Sequence, residues 1–198
     1  MLGLQVVRCP LFAIQPVDWL SPPPSSFHAL LLTSSNAVAF AGQSLEDYRS
    51  LPVHAVGKAT ADEARGAGLK IASVGEHGVE SLLAAIPERQ RLLHLCGADR
   101  IPAATHHAVH ECVVYRALPI DDPGLPPLGG ATIAVHSPRA GRRLAELSGG
   151  CPTATVVAIS KMAADACGEG WGQVAVAERP DDGALLALAA SLCQTPPR

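Results

Sequence analysis

Short apolar runs alternate along this chain with stretches whose apolar positions recur every third or fourth residue, the pattern of βα units building a parallel sheet. In the first half the runs predict strands near 29–33, 53–56, 70–74, 91–96 and 111–115. The helical pattern falls near 36–42, 60–67, 78–86 and, more faintly, 101–108. In the second half strands are expected near 132–136, 155–159 and 173–177, with helices near 138–147, 161–168 and 182–193. Pro87 ends the third helix, because an interior proline removes a backbone donor and clashes with the preceding turn. Pro138 suits a first helical turn, where its missing N–H is not needed.

The two halves repeat. Leu32-Thr33-Ser34-Ser35-Asn36-Ala37 is answered by Val135-His136-Ser137-Pro138-Arg139-Ala140, and Val56-Gly57-Lys58-Ala59-Thr60-Ala61 by Ile159-Ser160-Lys161-Met162-Ala163-Ala164. The offset is constant, 137 − 34 = 160 − 57 = 103, and Leu82-Leu83 and Leu185-Leu186 keep it. One structural unit used twice is implied. A ligand is then expected between the copies. Two loops punctuate the chain, Ser21-Pro22-Pro23-Pro24-Ser25 and the proline- and glycine-rich stretch 121–130. Such segments act as stiff spacers. Residues 194–198 are expected to be a frayed tail.

Composition narrows the function classes. The chain has 198 residues, 48% hydrophobic, 17% charged and 4% aromatic, so its cores must be aliphatic. That suits parallel strands buried under Ala-rich helices. A net charge of −3 and few aromatic rings give no footprint for nucleic acid. No apolar run approaches the roughly 20 residues of a membrane span, and no secretory signal is evident at the amino terminus. The six cysteines are scattered without C-x-x-C or zinc spacing, which fits a reducing cytoplasm.

Candidate chemistry sits where strands hand over to helices, the place where open parallel sheets collect ligands. Ser34, Ser35 and Asn36, then Lys58 and Thr60, Gly97 and Arg100, Ser137 and Arg139, and Lys161 all fall there. Helix amino termini favour anions through unpaired N–H groups and the helix dipole. Lys58 and Lys161 share the repeat offset, 161 − 58 = 103, and project from equivalent loops. The competing view makes Ser34 and Thr60 plain helix caps and the lysines solvated. Tyr115 ends a predicted strand, as a packed aromatic or as a proton donor facing a cleft. His106, His107, His110 and Cys112 have metal-ligand chemistry, but no distant fourth partner is evident and a surface turn carrying histidines is the better reading; no metal site is expected. No phosphate loop, dinucleotide fingerprint or nucleophile elbow is present.

These segments, with Pro10-Leu11-Phe12-Ala13-Ile14, Leu95-Cys96-Gly97-Ala98-Asp99-Arg100 and Val113-Val114-Tyr115-Arg116, resemble the uroporphyrinogen-III synthase family over nearly the whole chain. The resemblance implies two flavodoxin-like α/β domains with parallel sheets joined by a two-stranded linker, residues 1–20 with 119–198 and an inserted domain of 26–116. It implies a cofactor-free hydro-lyase of tetrapyrrole synthesis, monomeric and cytoplasmic. Such enzymes cyclise hydroxymethylbilane with loss of water and inversion of its last ring, through an azafulvene cation and a spiro intermediate. The substrate carries eight carboxylates, which agrees with the anion-favouring termini. By position Tyr115 matches the tyrosine associated with departure of the hydroxyl. Ser34, Ser35, Lys58, Thr60, Gly97, Ser137 and Lys161 are the expected substrate contacts. Because the reacting carbon ionises readily, holding the chain in a cyclising pose is expected to matter more than acid–base help.

Three departures from the family pattern stand out. Ser160-Lys161-Met162-Ala163 replaces a Gly-x-Thr-Thr-like turn, the stretch after Arg100 is short, and the chain starts at what resembles the family's second strand. The missing strand and helix are expected to leave the discontinuous domain the less well formed of the two. Two other functions fit a two-unit chain: a non-catalytic cleft module for a polycarboxylate or other small anion, and a flavodoxin-like regulatory domain.

Overall fold

The computed structural model describes residues 5–75, 78–86, 89–100 and 104–194. The chain is α/β and forms two compact units, Ala13–Leu118 and a discontinuous one of Met1–Phe12 with Pro119–Arg198. The first crossing falls at residue 12, earlier than the proline-rich loop suggested.

The unit Ala13–Leu118 is built on a six-stranded sheet. Its strands are β1 (Phe12–Pro16), β2 (Ala29–Leu32), β3 (Pro52–Val56), β4 (Lys70–Gly75), β5 (Arg91–Gly97) and β6 (Ala108–Pro119), in the spatial order β1-β6-β5-β2-β3-β4. From β2 to β6 all pairings are parallel. Between the strands lie helices α1 (Ser35–Phe40), α2 (Lys58–Gly66) and α3 (Val79–Ala85). The two-residue period of a strand sorts its side chains between the two faces. Leu30, Leu32, Leu93, Leu95 and Val114 pack with Ala37, Ala61 and Ala64 of α1 and α2. Ala29, Leu31 and Leu92 pack on the other face with Leu82 and Leu83 of α3. All four residues of β2 are buried because helices cover both faces, which is why its sequence is a continuous apolar run.

The discontinuous unit holds β7 (Thr132–Val135), α4 (Pro138–Ser148), β8 (Cys151–Ala158), α5 (Lys161–Ala166), β9 (Trp171–Val176) and α6 (Asp182–Gln194). Among the described residues its sheet has the parallel order β7-β8-β9. Val135, Val156 and Ala158 pack with Leu144, Ala163 and Cys167 of α4 and α5. Val157 packs with Leu185 of α6 on the opposite face. Close approach of α4 to α5 requires Gly141, where a Cβ would stand 2.8 Å from the carbonyl oxygen of Ala163.

The repeat is structural as well as sequential. The starts of β2 and β7, α1 and α4, α2 and α5, and α3 and α6 give 132 − 29 = 138 − 35 = 161 − 58 = 182 − 79 = 103. Two expectations need correction. The faint helix at 101–108 is not found: residues 101–103 lie outside the described residues, no helix covers 104–107, and Ala108 already belongs to β6. Alternation of side chains wins there over the weak helical period. Helix α2 also starts two residues before the expected point, so its cap is Gly57 at φ +79° and not Thr60. Thr60 is buried inside the first turn.

Candidate functional site

Strand order creates a crevice. The chain steps from β2 to β3 and β4 toward one edge, then returns to place β5 and β6 on the other side of β2. The order therefore reverses between β2 and β5, and at such a point the loops leave the carboxyl ends in opposite directions. Among the described residues a cavity of about 380 Å³ opens there. Thr33 and Ser34 enter it from the end of β2, Gly97 and Arg100 from the end of β5, and Tyr115 from β6, while Val79 and Leu83 of α3 form an apolar wall.

Each polar group has a local reason for its position. Ser34 is extended (φ −154°, ψ 138°) and caps α1, its Oγ accepting from the Asn36 N–H at 3.2 Å. Tyr115 is placed by a register shift. Cys96 pairs with Val113 and Gly97 with Tyr115, so Val114 is skipped and the strand turns its next side chain toward the cavity. The Tyr115 ring then lies directly over Gly97. A Cβ on Gly97 would meet Tyr115 Cζ at 2.7 Å and its hydroxyl at 2.9 Å, so only glycine leaves room for that ring. Phe40 flanks the tyrosine at 6.4 Å between ring centroids.

A charged chain crosses the cavity floor. Arg100 Nε donates to Glu111 Oε2 at 2.7 Å, and its Nη2 bonds the same oxygen. Glu111 Oε1 lies 3.7 Å from His94 Nδ1, and His94 Nε2 lies 3.0 Å from Thr33 Oγ1. Hydrogen bonding from Arg100 holds the Glu111 carboxyl below the usual carboxylate range. Burial pushes the His94 imidazole down, against the opposing pull of Glu111. The floor is therefore a carboxylate beside a neutral imidazole. Burial also pushes the Cys96 thiol up to about 11, which keeps it protonated and unsuited to act as a nucleophile.

The expected residues divide into three groups. Ser34, Gly97 and Tyr115 line the one cavity, and Arg100 joins them. Ser35, Lys58 and Thr60 belong to the same unit but do not line it; Ser35 is the first residue of α1 and Lys58 the first of α2. Ser137 and Lys161 belong to the discontinuous unit. Ser137 caps α4 by accepting from the Ala140 N–H at 3.1 Å. The lysines are equivalent in detail: Lys58 Nζ bonds Asp62 at 2.5 Å and Lys161 Nζ bonds Asp165 at 2.8 Å, with side chains 87% and 83% exposed. Both reach along their own helix rather than standing free.

Of the histidine cluster, His107 is buried, with Nε2 3.0 Å from the Leu83 carbonyl and Nδ1 accepting from the Gln90 N–H. His110 packs on Phe27. Among the described residues no group of three or more His, Cys, Asp or Glu side chains is arranged to hold a metal ion. Sequence reasoning missed His94 and Glu111. The signal was there: each is a polar residue inside a predicted strand, in Leu92-Leu93-His94-Leu95 and Glu111-Cys112-Val113.

A family model described as uroporphyrinogen-III synthase HemD matches residues 1–187. No curated protein matches the sequence. Among solved structures, uroporphyrinogen-III synthetase from Helicobacter pylori is similar with a TM-score of 0.72 at 20% identity, over 92% of this chain and 91% of that one. A mutant uroporphyrinogen III synthase from the extremely thermophilic bacterium Thermus thermophilus is similar with a TM-score of 0.54 at 19% identity, over 98% and 92%. At these identities the likeness speaks for the fold.

Proposed function

This chain belongs to the uroporphyrinogen-III synthase family and is a hydro-lyase of tetrapyrrole biosynthesis, and from that premise we propose how its residues act on hydroxymethylbilane. The observation that carries the reading is the convergence of Ser34, Gly97 and Tyr115 on the cavity at the strand-order reversal. Tyr115 donates a proton as the hydroxyl leaves the terminal methylene carbon as water. The carbon–oxygen bond breaks, and the pyrrole nitrogen lone pair supplies electrons to give the azafulvene cation. The cation bonds to the substituted α carbon of the last ring, giving the spiro intermediate. The bond from that carbon to its original methylene bridge then breaks, and the released methylene bonds the ring's free α carbon. The proton lost there restores the Tyr115 hydroxyl and completes the elimination of water. The hydroxymethyl carbon ionises readily, so the larger contribution is orientation of the chain ends.

Ser34, Ser35, Lys58, Thr60, Gly97, Ser137 and Lys161 are the proposed substrate contacts, the two lysines attracting carboxylates. The reaction needs no metal, flavin or nucleotide on this reading, and the protein acts as a monomer in the cytoplasm. Among the described residues no helix is long and apolar enough to cross a membrane.

The test is product analysis. Protein given hydroxymethylbilane, without added metal, flavin or nucleotide, is expected to yield the type III isomer. Only the spontaneously formed type I isomer from folded protein would overturn the reading and favour a non-catalytic binder of polycarboxylates.

A further inference from the structure

We propose that Glu111, His94 and Thr33 form a relay, a close electrostatic contact from Glu111 to His94 followed by a hydrogen bond from Thr33 to His94, that fixes the Thr33 hydroxyl as an acceptor for a pyrrole N–H of the substrate and makes His94 a positioning residue of the reaction. The inference rests on the cavity being the reaction site.

The polarity follows from the chain of partners. Arg100 holds Glu111 ionised, and an ionised carboxylate only accepts. The ring nitrogen beside it is Nδ1, so the imidazole proton belongs there, with Glu111 Oε1 at 3.7 Å as its electrostatic partner. A neutral imidazole with its proton on Nδ1 has a lone pair on Nε2. Thr33 Oγ1, at 3.0 Å, must then donate its only proton to Nε2. Its remaining lone pairs are left for the cavity that Thr33, His94 and Glu111 all line.

Such a hydroxyl discriminates by chemistry. It repels the substrate's carboxylates, which are also acceptors, and suits a donor. Pyrrole N–H groups are the donors of a linear tetrapyrrole, and that N–H becomes a stronger donor as its ring turns into the azafulvene cation. The relay therefore strengthens in the transition state rather than in the ground state, the condition for raising kcat. His94 is suited to this because its side chain is only 8% exposed, with Leu31, Val79 and Leu83 also lining the cavity. Water cannot readily substitute for the ring.

The ionisable groups facing His94 are Glu111 from β6 and Arg100 after β5; Asp99 and Tyr115 line the same cavity, and α3 presents Val79 and Leu83 there. Protonation of the imidazole would make Nε2 the donor to Thr33 Oγ1 and free the Thr33 hydroxyl proton to point into the cavity, so that Thr33 would meet the substrate as a donor instead of an acceptor. A fall in kcat on the acid side is therefore built into the relay.

The test uses the whole chain. Steady-state formation of the type III isomer is measured against pH for the wild type, His94→Gln, His94→Leu, Thr33→Ala and the Thr33→Ala/His94→Leu double variant, with thermal unfolding confirming that each is folded. Imidazole 15N shifts of the wild type read the tautomer directly. We expect Nδ1 protonated. We expect a kcat about tenfold lower in His94→Leu with KM little changed, about the worth of one hydrogen bond. The double variant should be no slower than Thr33→Ala alone, and the acid limb should be lost with His94. His94→Gln, whose amide can still accept, should recover part of the rate without the acid limb. An active wild type with Nε2 protonated, or with His94→Leu folded and at full kcat, overturns the relay alone. A folded wild type that makes no type III isomer overturns the reading of the site and the relay with it.

Discussion

Replacing Gly97 by alanine asks whether the placement of Tyr115 matters. The added methyl would stand 2.7 Å from Tyr115 Cζ, 2.8 Å from Cε2 and 2.9 Å from the hydroxyl oxygen. Unstrained contacts between such atoms lie near 3.5–4.0 Å, so the ring must retreat by roughly 1 Å. Phe40 on one flank and the core under β5 and β6 on the other resist that retreat. Overpacking of this kind costs about 1–3 kcal/mol. A shift of about 1 Å at a reacting group costs on the order of 10²-fold in rate. Gly97→Ala should therefore lose most of its kcat while remaining folded, with Tm lowered. Removing the ring separates the two effects: in a Tyr115→Ala background the methyl has space, so Gly97→Ala should cost almost no further stability. Steady-state assay of the type III isomer and thermal unfolding of the four proteins complete the cycle. If Gly97→Ala keeps the wild-type rate, or destabilises the Tyr115→Ala protein as much as the wild type, the placement argument fails.

Three further outcomes are expected. Tyr115→Phe keeps the ring over Gly97 and loses only the proton, so its kcat should fall by no more than about 10²-fold, the lower end for positioned acid catalysis; a larger fall with intact stability would assign the tyrosine a different task. Lys58→Ala/Lys161→Ala should weaken substrate binding roughly two- to fivefold and flatten its salt dependence, since both cations are exposed; an unchanged salt slope would show that they serve only Asp62 and Asp165. Stability should fall as pH is lowered in two stages. His94 binds fewer protons folded than unfolded, so its contribution is full above its unfolded value of about 6.5 and is lost as pH falls through its depressed folded value. Glu111 contributes above its unfolded value of about 4.3 and loses that contribution as pH falls through its own depressed value. Tm measured against pH should therefore drop less steeply between pH 7 and 5 in His94→Gln, and superimposable curves would refute the first stage.

The sequence disclosed elements better than it disclosed the site. Strands such as Ala29–Leu32 and Arg91–Gly97 were legible because burial on both faces demands apolar runs, unbroken in the first and interrupted only by His94 between Leu92 and Cys96 in the second, and a run is a local signal. The faint helix at 101–108 failed where the signal was faint and the neighbouring strand was longer than its apolar part. Ser34 and Gly97 were singled out because each stands where an apolar strand ends, and Tyr115 because it closes the apolar part of β6, although that strand itself runs on to Pro119. His94 and Glu111 were missed because their meaning depends on pairing across strands. Register brings His94 opposite Glu111, yet no spacing rule within either strand announces that partnership.

The repeat sharpens where chemistry can reside. Helix starts, the capping serines Ser34 and Ser137, and the lysines Lys58 and Lys161 recur at the same offset, so the serine-capped turn and the lysine that opens the next helix exist in two copies. The partners of the relay do not recur. Thr33 corresponds to His136, since 136 − 33 = 103, and His136 lies 3.5 Å from Asp182 in an exposed pair. Strands β5 and β6, which supply His94, Gly97, Glu111 and Tyr115, have no counterpart among the described residues of the discontinuous unit, whose sheet there ends at β9. Among the described residues, therefore, the capped turns and helix-opening lysines occur in both units, whereas the strand-order reversal that opens the cavity is seen in the unit Ala13–Leu118. A pair of charge-neutral substitutions tests that asymmetry: Ser137→Ala should cost about 1 kcal/mol of stability through its lost cap, with kcat falling less than in Thr33→Ala. Equal losses of kcat from the two changes would mean that the second copy carries chemistry as well.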